Sequence, residues 1–139
     1  MIDVLIIDKE NTIAPAIDAG EASFLVYDDE IRALHAAEAM RPDIVVLNYT
    51  VREQDTAAFI ALLTRASKRS KIVLIAENLT DEAVIECLMA GAKGYLQLSE
   101  VDKFINKLLQ AVQAGEAWIT RRMVAMLLDK LRSHAVCSG

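Results

Sequence analysis

Polar residues follow two apolar runs of the chain at places that suit cation binding and phosphoryl chemistry. Asp8 and Lys9 come directly after the run Ile2–Ile7, and Asn48 closes the run Ile44–Leu47. An acidic cluster at such a place can bind a divalent cation and accept a phosphoryl group. The amide of Asn48 cannot accept a phosphoryl group. This residue therefore bears on whether the chain is a phosphorylation switch or only resembles one.

Residue patterns of other catalytic and metal sites are absent from the sequence. Cys87 and Cys137 are far apart and match no metal or redox spacing. The chain has no glycine-rich phosphate loop, no Gly-x-Ser-x-Gly and no His-Glu-x-x-His. We therefore predict no enzymatic activity, no catalytic residues, no metal and no cofactor.

Composition limits the partners and the compartment. The 139 residues fit one domain, and the net charge of −5 should repel nucleic acid and anionic membranes. No apolar run is long enough to span a bilayer, and the N-terminus lacks the basic region of a signal peptide. The sequence therefore predicts a cytoplasmic protein that contacts no membrane.

Five strand patterns alternate with helix patterns, and the polar residues above stand at the strand ends. This alternation predicts an α/β fold whose parallel sheet is covered on both faces. We predict a flavodoxin-like doubly wound sheet of order 2-1-3-4-5, because five strands fit that order and its first and third strands flank the switch point. Strands are predicted at Ile2–Ile7, Phe24–Tyr27, Ile44–Leu47, Ile72–Ile75 and Tyr95-Leu96, and helices at Asn11–Ala19, Ile31–Ala39, Phe59–Ala66, Thr80–Ala90, Val101–Ala114 and Arg121–His134.

Three segments carry a resemblance to a known family. They are Gly91–Leu96 (Gly-Ala-Lys-Gly-Tyr-Leu), Ala114–Thr120 (Ala-Gly-Glu-Ala-Trp-Ile-Thr) and Pro42–Leu47 (Pro-Asp-Ile-Val-Val-Leu). In order and spacing they resemble the receiver domain of two-component response regulators, and the first two resemble the LuxR/NarL class most. The resemblance implies a receiver-like domain over residues 1–119 and a linker-type helix and tail over residues 120–139.

The resemblance implies a phosphorylation site whose residues this chain has mostly replaced. Asp8 matches the first of two adjacent acidic residues in the family, but Lys9 stands at the second, which normally binds magnesium. The phosphoacceptor aspartate of the family falls on Asn48. A carboxylate is the required nucleophile, and Lys9 brings a cation to a place meant to attract one.

The phosphate-binding and switch positions of the family fall on later strands. The switch Ser/Thr falls on Ala76 and the lysine after the fifth strand falls on Leu98, so a hydroxyl donor and a positive charge are both lost. Tyr95 matches the switch aromatic that rotates in the family. Four replacements in one crevice indicate that the phosphorylation cycle is absent.

The side chains of the crevice leave structural alternatives open. Lys9 either pairs with Asp8 in place of a metal ion or is solvated, and the ion pair is favoured. Asn48 either holds the following loop through amide hydrogen bonds or is a tolerated polar strand end. Tyr95 lies inward or outward. On its helix stripe, His35 is predicted to be buried and hydrogen-bonded.

The function predicted from the sequence is an atypical receiver domain, or pseudo-receiver. It would act in signal transduction or transcriptional regulation through protein interaction, without aspartyl phosphorylation. Its partner or second copy would bind the face of predicted helix four, strand five and helix five, which is Thr80–Ala90, Tyr95–Gln97 and Val101–Ala114. DNA would be bound only by a domain that these residues do not contain.

Two alternatives remain. The chain is the N-terminal receiver part of a LuxR-class DNA-binding transcription factor still controlled by a phosphorelay, or it is an enzyme or nucleotide binder of flavodoxin-like fold.

Overall fold

The predicted fold class is confirmed. A computed structural model describes residues 1–138, with side chains described for residues 1–133. Five parallel strands form one sheet in the order β2-β1-β3-β4-β5, so β1 and β3 lie side by side near its centre. The strands are β1 Ile2–Ile7, β2 Ala22–Tyr27, β3 Ile44–Asn48, β4 Lys71–Ala76 and β5 Ala92–Gln97.

Helices cover both faces of the sheet, as the continuous apolar strands require. One face packs against α1, α2, α3 and the start of α5 through a core that includes Leu5, Phe59 and Met123. The other face packs against α4 and the chain between β1 and β2. The helices are α1 Glu30–Met40, α2 Thr56–Ala66, α3 Asp81–Ala90, α4 Val101–Gln113 and α5 Arg121–Ser138.

The prediction of a first helix over Asn11–Ala19 is wrong. The connection from β1 to β2 contains only a 3-10 turn at Ala14–Ala16, which includes Pro15. Ile13 and Ile17 are both buried, so the apolar spacing was real but did not specify a helix. The Asp8 carboxylate accepts hydrogen bonds from the backbone N–H groups of Thr12 and Ile13, which favours a turn at that point. Predicted helices two to six are therefore α1 to α5.

Helix α1 forms where predicted but with a different buried stripe. Ala33 and Ala37 are fully buried, whereas His35 is exposed and Ile31 is 63% exposed. The prediction of a buried histidine is therefore wrong. Small alanine side chains let the helix approach the sheet closely, so they take the contact face from the larger residues. Asp29 begins the helix by accepting a hydrogen bond from the Ile31 N–H.

Helix α5 extends further than predicted, and its first turns pack on the domain. Met123 is buried, Leu127 is half-buried against the core, and Leu131 is 49% exposed. Arg122 forms an ion pair with Asp81 at the start of α3. The predicted helix ended at His134, whereas α5 continues as far as Ser138, and Gly139 lies outside the described residues. Among helices of residues 1–138, none has the length and apolar content needed to cross a bilayer.

Gly91 sits at a position where any side chain would strain the backbone and overlap a neighbouring residue. It ends α3 with φ +133°, and an added Cβ would lie 2.6 Å from Thr64 Oγ1. We expect Gly91→Ala to lower the free energy of unfolding by about 2 kcal/mol, from backbone strain and steric overlap together. Urea unfolding followed by circular dichroism measures the change.

Gly115 provides a matched control for that substitution. Its φ is +95°, but an added Cβ would meet nothing within 4 Å. Gly115→Ala should therefore cost only the strain of the left-handed backbone, about 1 kcal/mol. Adding Thr64→Ala should recover part of the loss in Gly91→Ala and none in Gly115→Ala. Equal losses in the two glycine variants would contradict the steric explanation.

Candidate functional site

The carboxyl ends of β1, β3 and β4 bring the predicted site residues together in a buried crevice. Asp8, Asn48 and Ala76 are 2%, 1% and 3% exposed. Because β1 and β3 are neighbours, Asp8, which follows β1, and Asn48, which ends β3, are in direct contact. The distance from Asn48 Nδ2 to Asp8 Oδ1 is 3.0 Å, and the amide donates a hydrogen bond to the carboxylate.

The Asp8 carboxylate is surrounded by donors from the protein itself. Its Oδ1 accepts from the Glu10 N–H at 3.0 Å as well as from the Asn48 amide. Its Oδ2 accepts from the Thr12 N–H at 2.8 Å, the Thr12 hydroxyl at 3.2 Å and the Ile13 N–H at 3.2 Å. Five donors thus occupy the two oxygens, and the carboxylate holds the loop after β1.

The Asn48 side chain uses both ends of its amide. While Nδ2 donates to Asp8, Oδ1 accepts from the Thr50 N–H at 3.1 Å and the Thr50 hydroxyl at 3.0 Å. These bonds begin the short turn Tyr49–Val51. The interpretation of Asn48 as a residue that holds the following loop is therefore confirmed.

The predicted ion pair between Lys9 and Asp8 does not form. Lys9 is exposed, and none of the ion pairs among the side chains described to residue 133 includes it. The physical reason is the hydrogen bonding of Asp8, whose oxygens already have partners. The positive charge stays in solvent, so uncharged donors stabilise the buried carboxylate. Residues 1–133 contain no group of three acidic, histidine or cysteine residues arranged for a metal ion.

The ends of β4 and β5 close the other side of the crevice. Ala76 pairs with Gln97 in the sheet, and Leu98 packs its half-buried side chain against the core. The side chain of Gln97 accepts from the Asn78 N–H at 3.1 Å, and Glu77 accepts from the Ser99 N–H at 3.2 Å. Side chain to backbone bonds therefore join the loops after the two strands.

Tyr95 lies inward, which is one of the two poses left open by the sequence. Its ring packs against the core beside α3 and α5, and its hydroxyl is buried without a hydrogen bond of ordinary geometry. Burial raises the pKa of Tyr95, and the nearby Leu79 backbone partly opposes that rise. The hydroxyl is therefore a neutral group inside the fold.

A groove of about 790 Å³ opens beside Tyr95, between α3, β5, α4 and the start of α5. Its rim carries the ion pair of Asp81 and Arg122. The chain before α5 extends the sheet here, because the Trp118 N–H donates to Lys93 O and the Tyr95 N–H donates to Trp118 O. Apolar lining comes from Leu79, Tyr95, Leu96, Phe104, Trp118, Ile119 and Met123.

Cys87 is a structural residue, as its place on a helix stripe indicates. It is 2% exposed and belongs to the core. Burial raises the pKa of its thiol to about 11, with a smaller contribution from Glu86. A neutral buried thiol is a poor nucleophile.

Sequence reasoning missed the two threonines of the crevice. Thr12 and Thr50 each add a hydroxyl donor to the side chain that holds their loop. A signal was present, because Asx-type turns place an acceptor side chain shortly before such residues. Asp8 with Thr12 and Asn48 with Thr50 fit that pattern.

Comparison with solved structures gives the fold a family context. The isolated REC domain of RcsB from Salmonella enterica superposes with a TM-score of 0.80 over 93% of this chain and 99% of that chain, at 16% sequence identity. The fold is that of a receiver domain. At this identity the likeness concerns the receiver fold alone. No protein-family model matches the chain.

Curated relatives of the chain are response regulators of the LuxR/NarL class. The DNA-binding transcriptional activator DevR/DosR of Mycobacterium tuberculosis is 24% identical over 97% of this chain and 58% of its own length. The nitrate/nitrite response regulator protein NarL of Escherichia coli is 26% identical over 88% of this chain and 55% of its own length. The chain thus spans little more than half of these relatives.

Proposed function

We propose that this chain is a pseudo-receiver: a receiver-type interaction module of a response regulator that acts without aspartyl phosphorylation. The observation that supports the proposal most is the hydrogen-bonded pair of Asp8 and Asn48, 3.0 Å apart. An amide stands where the nucleophile would be, and the only carboxylate of the pair already accepts five bonds. A magnesium ion would have to displace these donors.

The other residues of the crevice support the same proposal. Ala76 offers no hydroxyl, and the half-buried Leu98 packs against the core where a lysine would have to reach a phosphoryl group. Lys9 is the nearest cation in sequence, yet it is exposed. Of the phosphorylation positions, Asp8, Asn48, Ala76 and Leu98 would thus serve structure alone, while Lys9 remains in solvent.

Incubation with acetyl phosphate and magnesium tests this proposal. We expect the intact mass to show no added phosphoryl group, because no carboxylate stands at the end of β3. In a magnesium titration followed by NMR, the amide chemical shifts of Glu10, Thr12 and Ile13 should stay unchanged, because their hydrogen bonds to Asp8 persist. A receiver domain that has an aspartate at the end of its third strand serves as the positive control for the reagent. A phosphoryl adduct would refute the proposal.

The surface that we propose for partner binding is the groove between α3, β5 and α4. It would take a protein partner or a second copy of the chain. The inward Tyr95 forms part of its floor, and the ion pair of Arg122 with Asp81 holds the start of α5 at its rim. Helix α5 therefore limits access to this face, which the sequence did not predict.

A second role is favoured by the length of the relatives. DevR/DosR is named a DNA-binding activator, and this chain covers 58% of it. We propose accordingly that the module belongs to a DNA-binding regulator, with α5 as the linker. In that role the net charge of −5 keeps the module itself away from DNA. A phosphorelay would still control such a protein only if the mass experiment gave an adduct.

A further inference from the structure

Strand β2 presents a free edge of the sheet. Within residues 1–138 it pairs only with β1, and the bonds from Ile2 N–H to Glu21 O and from Asp8 N–H to Tyr27 O show which groups face β1. By alternation, the backbone groups of Phe24 and Val26 face outward. Such outward N–H and C=O groups are a template for an added strand.

Two apolar side chains in the centre of β2 are exposed to solvent. Leu25 is 50% exposed and Val26 is 40% exposed. The connection from β1 to β2 contains no α-helix, although a parallel crossover usually does, and Val26 lies on the face that this connection covers only in part. The absent helix thus contributes to the exposure.

The usual devices that protect a sheet edge are missing from β2. Such edges carry a lysine, a proline, a bulge or a covering segment. Ala22–Tyr27 reads Ala-Ser-Phe-Leu-Val-Tyr and contains no charge and no proline, and its pairing with β1 is unbroken. The open centre of the strand is therefore suited to pairing rather than guarded against it.

Acidic residues stand at both ends of this open centre. Between Lys9 and Arg32 the sequence contains no basic residue. Arg32 itself lies over the Tyr27 ring at 6.0 Å. The acids nearest the strand ends are Asp18 and Glu21 on one side and Asp28, Asp29 and Glu30 on the other. Among the side chains described to residue 133, only Glu30 of these acids forms an ion pair, with Arg52.

This charge pattern disfavours a second copy of the same chain as the occupant. In an antiparallel pair of two β2 strands with Phe24 opposite Val26, Glu21 of one copy would face Asp29 of the other at both ends. Directly opposed like charges destabilise a strand pair. A segment with lysine or arginine at its ends would instead place opposite charges there.

We propose that the β2 edge binds an extended segment of another protein whose apolar centre is flanked by basic residues. The segment adds a sixth strand to the sheet. Backbone bonds to Phe24 and Val26 provide affinity, and the acidic ends select the basic flanks. This surface is separate from the groove beside Tyr95, so the inference does not depend on the proposed function.

Amide exchange with a synthetic peptide tests the proposal. The probe alternates valine and threonine over the length of β2 and carries a lysine pair at each end. At about 1 mM peptide we expect exchange at Phe24 and Val26 to slow by about tenfold. A peptide with glutamates in place of the lysines should slow neither amide.

Two variants with the same change of charge separate edge pairing from general attraction. Val26→Lys places a cation on the edge and should weaken the peptide by about tenfold. Leu128→Lys adds the same charge on α5, where Leu128 is 47% exposed, and should weaken it less than about twofold. Equal losses, no protection at Phe24 and Val26, or protection that grows with protein concentration without peptide would each overturn the proposal.

Discussion

Replacing Asp8 by alanine is expected to lower the free energy of unfolding by about 4 kcal/mol. The substitution deletes the acceptor of five hydrogen bonds in a position that is 2% exposed. The bonds from the Ile13 N–H and the Asn48 amide are buried, so these donors would lose their partner without gaining water. Urea unfolding followed by circular dichroism measures the loss.

Asp18→Ala is the matched control, because it deletes an exposed carboxylate from the same connection. Asp18 accepts a hydrogen bond from the Gly20 N–H at 2.9 Å, and we expect its loss to cost about 0.5 kcal/mol. NMR should also show that Asp8→Ala loosens the loop after β1, with faster exchange at Thr12 and Ile13. Similar losses in the two variants would mean that Asp8 does not organise this loop.

Asn48→Asp is expected to destabilise the protein by about 3 kcal/mol at neutral pH. The donor that now lies 3.0 Å from Asp8 Oδ1 would become a carboxylate oxygen, so two buried negative charges would face each other. The pKa of one carboxyl in the pair must then rise in the folded state. The variant restores a carboxylate at the end of β3, but Ala76 still supplies no hydroxyl donor and Leu98 no positive charge.

The pH dependence of this loss has a definite sign. A carboxyl whose pKa is higher in the folded state than in the unfolded chain stabilises the fold while it is protonated. That contribution is complete below the unfolded pKa of about 4 and is lost as the pH rises through the folded pKa. The stability of Asn48→Asp relative to the wild type should therefore improve as the pH is lowered.

Urea midpoints of the wild type, Asn48→Asp and Asn48→Ala at a series of pH values provide the measurement. Asn48→Ala also loses the bond to Asp8 but adds no charge, so its difference from the wild type should vary much less with pH. Acetyl phosphate and magnesium should leave Asn48→Asp without a phosphoryl adduct. Labelling of that variant would show that the amide alone prevents phosphorylation.

The sheet was predictable from the sequence because each strand is a short apolar run with a polar end. Runs as apolar as β1, β3 and β4 must be covered on both sides, which places them in the interior of a sheet. As predicted, β1 and β3 are neighbours and flank the crevice. Right-handed crossovers then leave few possible strand orders. The same reasoning placed Asp8, Asn48 and Ala76 at one edge of the sheet, where the structure has them.

The segment before β2 was mispredicted because apolar spacing does not distinguish a short helix from a packed turn. Ile13 and Ile17 are four residues apart, a spacing that would bury both in a helix, and both are also buried in the observed turn. The deciding factor is the side chain of Asp8, which competes for the backbone N–H groups that a helix would use. Its partners become known only when the chain is folded.

The crevice was predicted in its members but not in its bonding. Residue types alone favoured a pair of opposite charges between Lys9 and Asp8. In the structure, N–H and hydroxyl groups of the same loop reach the carboxylate first, and Lys9 remains exposed. A neutral donor that lies close in sequence needs less ordering of side chains than a long lysine does.

Trp118 gives the protein an internal optical probe. It is the single tryptophan of the chain, half-buried on the wall of the groove, with its ring centroid 6.3 Å from that of Phe104. Its backbone is bonded to β5 only three residues before α5 begins. Release of α5 from α3, or entry of a partner beside Tyr95, would change the polarity around the indole. The emission wavelength of the unlabelled protein therefore reports the state of that face directly.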